Sequence, residues 1–137
     1  MCGIAGFASE QGIRDPDSLL QEMASRLAHR GPDGRGVYGH AGAGLASSRL
    51  AIVDPTGGDQ PARSEDASVW AVLNGEIYNH RALRDDLAAR GHRFTSQSDT
   101  EVLVHLYEEY GLEMLPRIEG IYGLAVWDDQ RRRLLLA

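Results

Sequence analysis

A chain of 137 residues suits one domain, and its formal net charge of −6 is offset by no basic stripe. Binding to nucleic acid through phosphate neutralisation is therefore not expected. All 14 basic residues are arginine, and the lack of lysine excludes a P-loop and a Schiff-base mechanism within the chain.

Residues 3 to 8 form a short apolar run that reads as a buried strand. A helix follows, with Asp15 as N-cap, Pro16 at its first position and Leu19, Leu20, Met23 and Leu27 as its apolar stripe. Gly31 and Pro32 are expected to end it. Residues 36–38 and 44–53 read as strands on either side of a glycine-rich turn, and residues 55–66 as a loop of turn formers. Residues 69–73 are apolar enough for a central strand. After Asn74-Gly75 a helix is expected from about Arg81 to Arg90, with Leu83 and Leu87 inward and Gly91 as its stop. A further helix starts near Ser98 and carries Val102, Leu103, Leu106, Tyr107 and Tyr110 on one face. Residues 121–127 and 133–136 form a strand pair around the polar turn Asp128-Asp129-Gln130. Strands and helices that segregate in this way predict a layered α+β domain rather than a βαβ array. The chain stops at Ala137 inside an expected strand, which reads either as a fragment or as a last strand that forms an edge, the fragment being favoured.

The longest apolar runs, such as Leu134-Leu135-Leu136, are far too short to cross a bilayer. The opening segment lacks the flanks of a signal peptide, so a cytoplasmic location is expected. The single cysteine rules out an internal disulfide. The five histidines, His29, His40, His80, His92 and His105, are scattered, and no metal site is expected.

Cys2 carries the first chemical signal. A lone cysteine can be a small buried hydrophobe, but one at position 2 becomes the chain's first residue once Met1 is removed. Its α-amine, near roughly 7.7–8.0, and its thiol, near about 8.5, are then matched for proton transfer at neutral pH. One residue can thus supply nucleophile and base, as N-terminal threonine enzymes do. Asn74-Gly75 reads either as a tight turn or as an oxyanion hole, made by the Asn74 amide and the Gly75 N–H. Ser98-Asp99-Thr100-Glu101 matches a capping box, which leaves Asp99 free to face an ammonium group. Arg49, inside a pocket, would bind a carboxylate with its planar fork.

Together, Met1-Cys2-Gly3-Ile4-Ala5-Gly6, His29-Arg30-Gly31-Pro32-Asp33, Ser48-Arg49-Leu50-Ala51-Ile52-Val53-Asp54, Asn74-Gly75-Glu76-Ile77-Tyr78-Asn79-His80 and Ser98-Asp99-Thr100-Glu101 resemble the class II glutamine amidotransferases. The wording of the blocks is most similar to the asparagine-synthetase branch, and the resemblance runs over essentially the whole chain. It implies a four-layer αββα N-terminal-nucleophile sandwich, truncated at its C-terminus. It also implies that Cys2 is the nucleophile and that Asn74 and Gly75 form the oxyanion hole. Arg49 would hold the glutamine α-carboxylate, Glu76 and Asp99 its α-amino end, and backbone groups of Leu50, Ile52 and Val53 would line the pocket. L-Glutamine is the implied substrate, with ATP and magnesium belonging only to a synthetase domain outside this chain. That domain is the implied partner, and a homodimer stays open. Two other readings are an amidotransferase of this branch serving another carboxylate acceptor, and a truncated, non-catalytic glutamine-binding module.

Overall fold

Alternation along the strands decides which layer each side chain enters, and it builds three separate apolar seams. In the computed structural model, which describes residues 1–40 and 42–137, strands β1 (Gly3–Ala8), β2 (Gly34–His40) and β3 (Ala43–Arg49) form one antiparallel sheet in the order β1-β3-β2. Strands β4 (Ala62–Arg63), β5 (Val69–Ile77), β6 (Gly120–Asp128) and β7 (Arg133–Leu136) form a second, in chain order. Helix α1 (Pro16–Arg26) covers the first sheet, while α2 (His80–Ala89) and α3 (Asp99–Tyr110) cover the second. The two sheets face each other, giving the expected α–β–β–α order of layers.

The seams follow from the two-residue period of a strand. On β5, Val69, Ala71 and Leu73 pack toward the helices with Leu87, Leu103 and Leu106. Between them, Trp70 and Val72 point into the space between the sheets, where they meet Leu45, Ala43 and Trp127. Ala46 turns the other way and packs with Leu20 and Ala24 of α1. Trp70 stacks on Tyr38 across the two sheets, with centroids 4.1 Å apart and planes 14° from parallel.

Several expected boundaries move. Asp15 does cap α1, accepting from the Ser18 N–H at 3.1 Å with Pro16 in the first turn. The helix ends at Arg26, however, before Gly31-Pro32, and its last carbonyls are met by turn bonds from Leu27, Ala28 and Arg30. The strand expected over 44–53 stops at Arg49. Its continuation folds back because the Arg49 guanidinium binds the carbonyls of Val53 and Asp54, and Asp54 adopts a φ of 48°. Asn74-Gly75 is not a turn. β5 runs through it to Ile77, with Asn74 opposite Gly123 and Gly75 opposite Tyr122. Gly75 has a φ of 149°, and a Cβ there would strike the backbone of Ile121 and Tyr122. The glycine serves a close strand–strand approach rather than a chain reversal.

The capping box is realised only in part. Ser98 caps α3 by accepting from the Thr100 N–H at 3.1 Å. Glu101 does not reach back to Ser98; its carboxylate accepts instead from the backbone N–H and hydroxyl of both Thr95 and Ser96, at 2.5–2.8 Å. Burial raises the Glu101 carboxyl, but these four bonds outweigh it and hold the group below the usual range. Helix α3 is buried from Asp99 to Tyr107 rather than on one stripe. β4 and the 3₁₀ segment Gly111–Arg117 were not expected. Ala41, in the glycine-rich turn expected between β2 and β3, lies outside the described residues. No helix among the described residues is long and apolar enough to cross a membrane.

Candidate active site

One end of the inter-sheet space opens as a cleft of about 220 Å³. That is smaller than the roughly 300–1,000 Å³ of pockets for drug-sized molecules, and it suits a ligand of amino-acid size. Its wall joins five distant segments: the chain start, the segment after β3, the later part of β5, the N-terminus of α3 and the start of β6. Of the expected site residues, Cys2, Arg49, Leu50, Ile52, Val53, Gly75, Glu76 and Asp99 line it. Asn74 is not part of the wall. It sits in strand β5 one residue before Gly75, and its Oδ1 is buried without a partner among the described residues.

Cys2 is 8% exposed and just precedes β1. Its Sγ accepts from the Leu50 N–H at 3.4 Å, and its carbonyl accepts from Arg30 Nε at 3.2 Å. Met1, 63% exposed, stands beside it at the cleft. The segment 29–34 is therefore a scaffold for the site. Arg30 holds Cys2 in place, and Asp33 Oδ2 accepts from the Ala51 N–H at 2.9 Å while the Asp33 N–H donates to Arg49 O at 3.0 Å. Gly31 lies so close to β3 that a Cβ would overlap the backbone of Ser48 and Arg49.

Arg49 is 7% exposed. Its Nη2 donates to the carbonyls of Val53, at 3.0 Å, and Asp54, at 2.5 Å. Its Nη1 has only a 3.5 Å contact to Pro55 O and a 3.6 Å approach to the exposed Asp59 carboxylate. Part of the donor fork thus remains available to an anion entering the cleft.

Across the cleft, Asp99 Oδ2 accepts from the Ile77 N–H at 3.1 Å, joining α3 to β5. Burial pushes its carboxyl above the ordinary range, against the opposing pull of that N–H and of His80. Glu76 is exposed at the rim.

Sequence reasoning missed Gln60, Gly58, Leu73, Tyr78, Ser98, Thr100 and Ile121 as wall residues. Gln60 is the most instructive: its Oε1 accepts from the Leu73 N–H at 2.9 Å, supplying the ladder bond that the short β4 does not provide. A glutamine in a loop of turn formers gives no sign of this. Ser98 was visible as a cap, but nothing local shows that the capped helix end faces Cys2. The expectation of scattered histidines is also corrected in one place, because His92 and His105 come together with Glu65 and Glu108.

Cys2 thus stands in the wall of a cleft of amino-acid size, beside Arg49, Gly75 and Asp99, at the mouth of an αββα sandwich. The glutamine amidotransferase domain model matches residues 1–137, and the chain belongs to that family. It is 42% identical to asparagine synthetase [glutamine-hydrolyzing] 3 of Arabidopsis thaliana, over 100% of this chain and 24% of that protein. With asparagine synthetase [glutamine-hydrolyzing] of Zea mays it shares 44% identity, over 100% and 23%. The chain spans about a quarter of the length of the curated relatives it matches. Among solved structures, the allosteric regulatory enzyme of purine biosynthesis superposes with a TM-score of 0.69 at 21% identity, covering 93% of this chain and 35% of that one. Glutamine phosphoribosylpyrophosphate amidotransferase from B. subtilis gives 0.59 at 22% identity, with the same coverage. At these identities the structural likeness speaks for the fold.

Proposed function

We propose that this chain hydrolyses the side-chain amide of L-glutamine by covalent catalysis at Cys2. The observation that carries the reading is the meeting of Cys2, Arg49, Gly75 and Asp99 in one cleft of amino-acid size. The Cys2 thiolate attacks the amide carbon, and the negative charge that forms on oxygen rests on the Asn74 amide and the Gly75 N–H. Ammonia leaves with a proton delivered by the Cys2 α-amine, and water then cleaves the γ-glutamyl thioester to glutamate. Arg49 binds the α-carboxylate through the donors that its loop bonds leave over. Asp99 and Glu76 meet the α-ammonium, whose charge favours the ionised form of the buried Asp99. The names of the relatives support a whole protein in which the ammonia amidates aspartate to asparagine. Its ATP and magnesium would be held by a synthetase domain, and the reaction would take place in the cytoplasm.

Cys2→Ser keeps the shape of the site but replaces a thiolate with a far weaker nucleophile, so glutamate release from glutamine should fall to background while the thermal melt is unchanged. The same assay on protein that retains Met1, checked by intact mass, should also give background, because the α-amine is then locked in a peptide bond. Normal turnover by Cys2→Ala would refute the covalent reading. Full turnover by the Met1-bearing form would remove the amine from the mechanism.

A further inference from the structure

Outside the cleft, on the far side of the second sheet, four side chains from three segments converge: Glu65 before β5, His92 after α2, and His105 and Glu108 on α3. One ligand-type atom from each lies within 4.8 Å of all the others. We propose that they form a binding site for a divalent cation of the zinc class.

The distances favour this. Bonds of roughly 2.0–2.2 Å in tetrahedral geometry separate neighbouring donors by roughly 3.3–3.6 Å. Here His92 Nδ1 and His105 Nδ1 are 3.2 Å apart. Glu108 Oε2 lies 3.1 Å from His105 Nδ1 and 3.4 Å from His92 Nδ1. Glu65 Oε2 is 3.6 Å from His105 Nδ1. Two imidazole nitrogens at that separation repel each other through their lone pairs unless a proton or a cation lies between them. Two carboxylates then balance the charge of a divalent ion.

The surroundings supply an independent reason. His92 places its other nitrogen, Nε2, 3.0 Å from Glu109 Oε1, the carboxylate–histidine pairing that orients imidazole ligands and raises their basicity. Glu65 uses Oε1 for the Arg93 N–H at 2.8 Å, which leaves Oε2 for the ion. Phe94 packs edge-on against His105 at 4.5 Å, fixing the ring plane. A cation here would clasp α3 to the segments on either side of it. The competing arrangement is a purely protonic one, with an imidazolium shared among Glu65, Glu108 and Glu109.

The test uses the whole 137-residue chain carrying Cys2→Ser, so that the thiol cannot bind the metal. After chelation and dialysis, the protein is titrated with zinc by calorimetry, and with cobalt to read the visible bands of tetrahedral coordination. One equivalent should bind, with a rise in melting temperature and tetrahedral cobalt bands. His92→Gln and Glu65→Gln should each abolish stoichiometric binding while keeping the metal-free melt. Glu109→Gln, which touches the site through His92, should weaken binding about 10- to 100-fold. Absence of one-to-one binding, or binding that survives both His92→Gln and Glu65→Gln, would overturn the site in favour of the protonic network. Glutamine hydrolysis by protein with an intact Cys2 is read separately, so failure of either proposal leaves the other standing.

Discussion

The two halves of the sandwich are built on opposite principles. The half formed by β1, β2, β3 and α1 is packed with small residues, such as Ala24, Ala43 and Ala46, and its backbones approach at glycines including Gly6 and Gly31. The half formed by β4 to β7 with α2 and α3 holds most of the bulk. Among the described residues, Leu20 alone of the largest fully buried side chains lies in the first half, while Leu73, Ile77, Leu87, Leu103, Leu106 and Met114 lie in the second or in the 3₁₀ segment beside it. The small-residue half brings Cys2, Arg30 and Arg49 close together, and the bulky half supplies the burial that holds the cleft's other wall still. The first should be sensitive to added atoms and the second to removed ones.

Leu103→Ala attacks the bulky half where Leu103 is fully buried among Leu73, Leu87 and Leu106. A loss of about 2–5 kcal/mol is expected in a denaturant melt, and a smaller loss than Ala46→Gly would undo the comparison.

Glu101→Gln tests the bulky half at the start of α3, where the carboxylate ties the helix to the segment before it. Removing the charge that accepts four bonds from Thr95 and Ser96 should lower stability by about 1.5–3 kcal/mol at neutral pH. Because its folded pKa is depressed, the contribution of Glu101 is present above its unfolded value of 4.5 and is lost as the pH falls through the folded one. The gap between wild type and variant should therefore close in acid. Asp99 has the opposite sign: its raised folded pKa gives a contribution present below 3.8 and lost as the pH rises through the folded value. A gap that widened in acid would contradict this assignment.

Arg49→Leu should raise the KM for glutamine roughly 10- to 100-fold, the loss of a charge-assisted two-point contact worth about 1.5–3 kcal/mol. The variant also loses the bonds to Val53 and Asp54, so a melt must accompany the kinetics. An unchanged KM would take Arg49 out of substrate binding.

Gly31→Ala adds one methyl to the small-residue half, where it meets the backbone of Ser48 and Arg49. Strain of about 1–3 kcal/mol is expected, together with a loss of glutamine turnover as the segment that holds Cys2 and Ala51 shifts. An alanine variant with wild-type stability and turnover would show that the close approach has no such role.

The amino-acid sequence alone was enough for what depends on local chemistry. Asp15 before Pro16 marked the start of α1, Ser98 marked the start of α3, and the polar turn Asp128-Asp129-Gln130 marked the boundary between the last two strands. The ordered blocks around Cys2, Arg49, Asn74 and Asp99 indicated the family and half of the cleft wall. Tertiary structure decided what depends on partners distant in the chain. Asn-Gly is a turn signal in isolation, but β6 pairs with β5 on both sides of Gly75 and keeps the strand extended. Residues 50–53 are apolar enough for a strand, yet the Arg49 guanidinium draws the carbonyls of Val53 and Asp54 back toward it. Glu101 fits a capping box, but Thr95 and Ser96 offer its carboxylate four donors where the cap offers one. His92 and His105 look unrelated along the chain and meet only because α3 folds back beneath the segment after α2. In each case the sequence names the group and its chemistry, and the long-range contact that decides its use forms only when the layers pack.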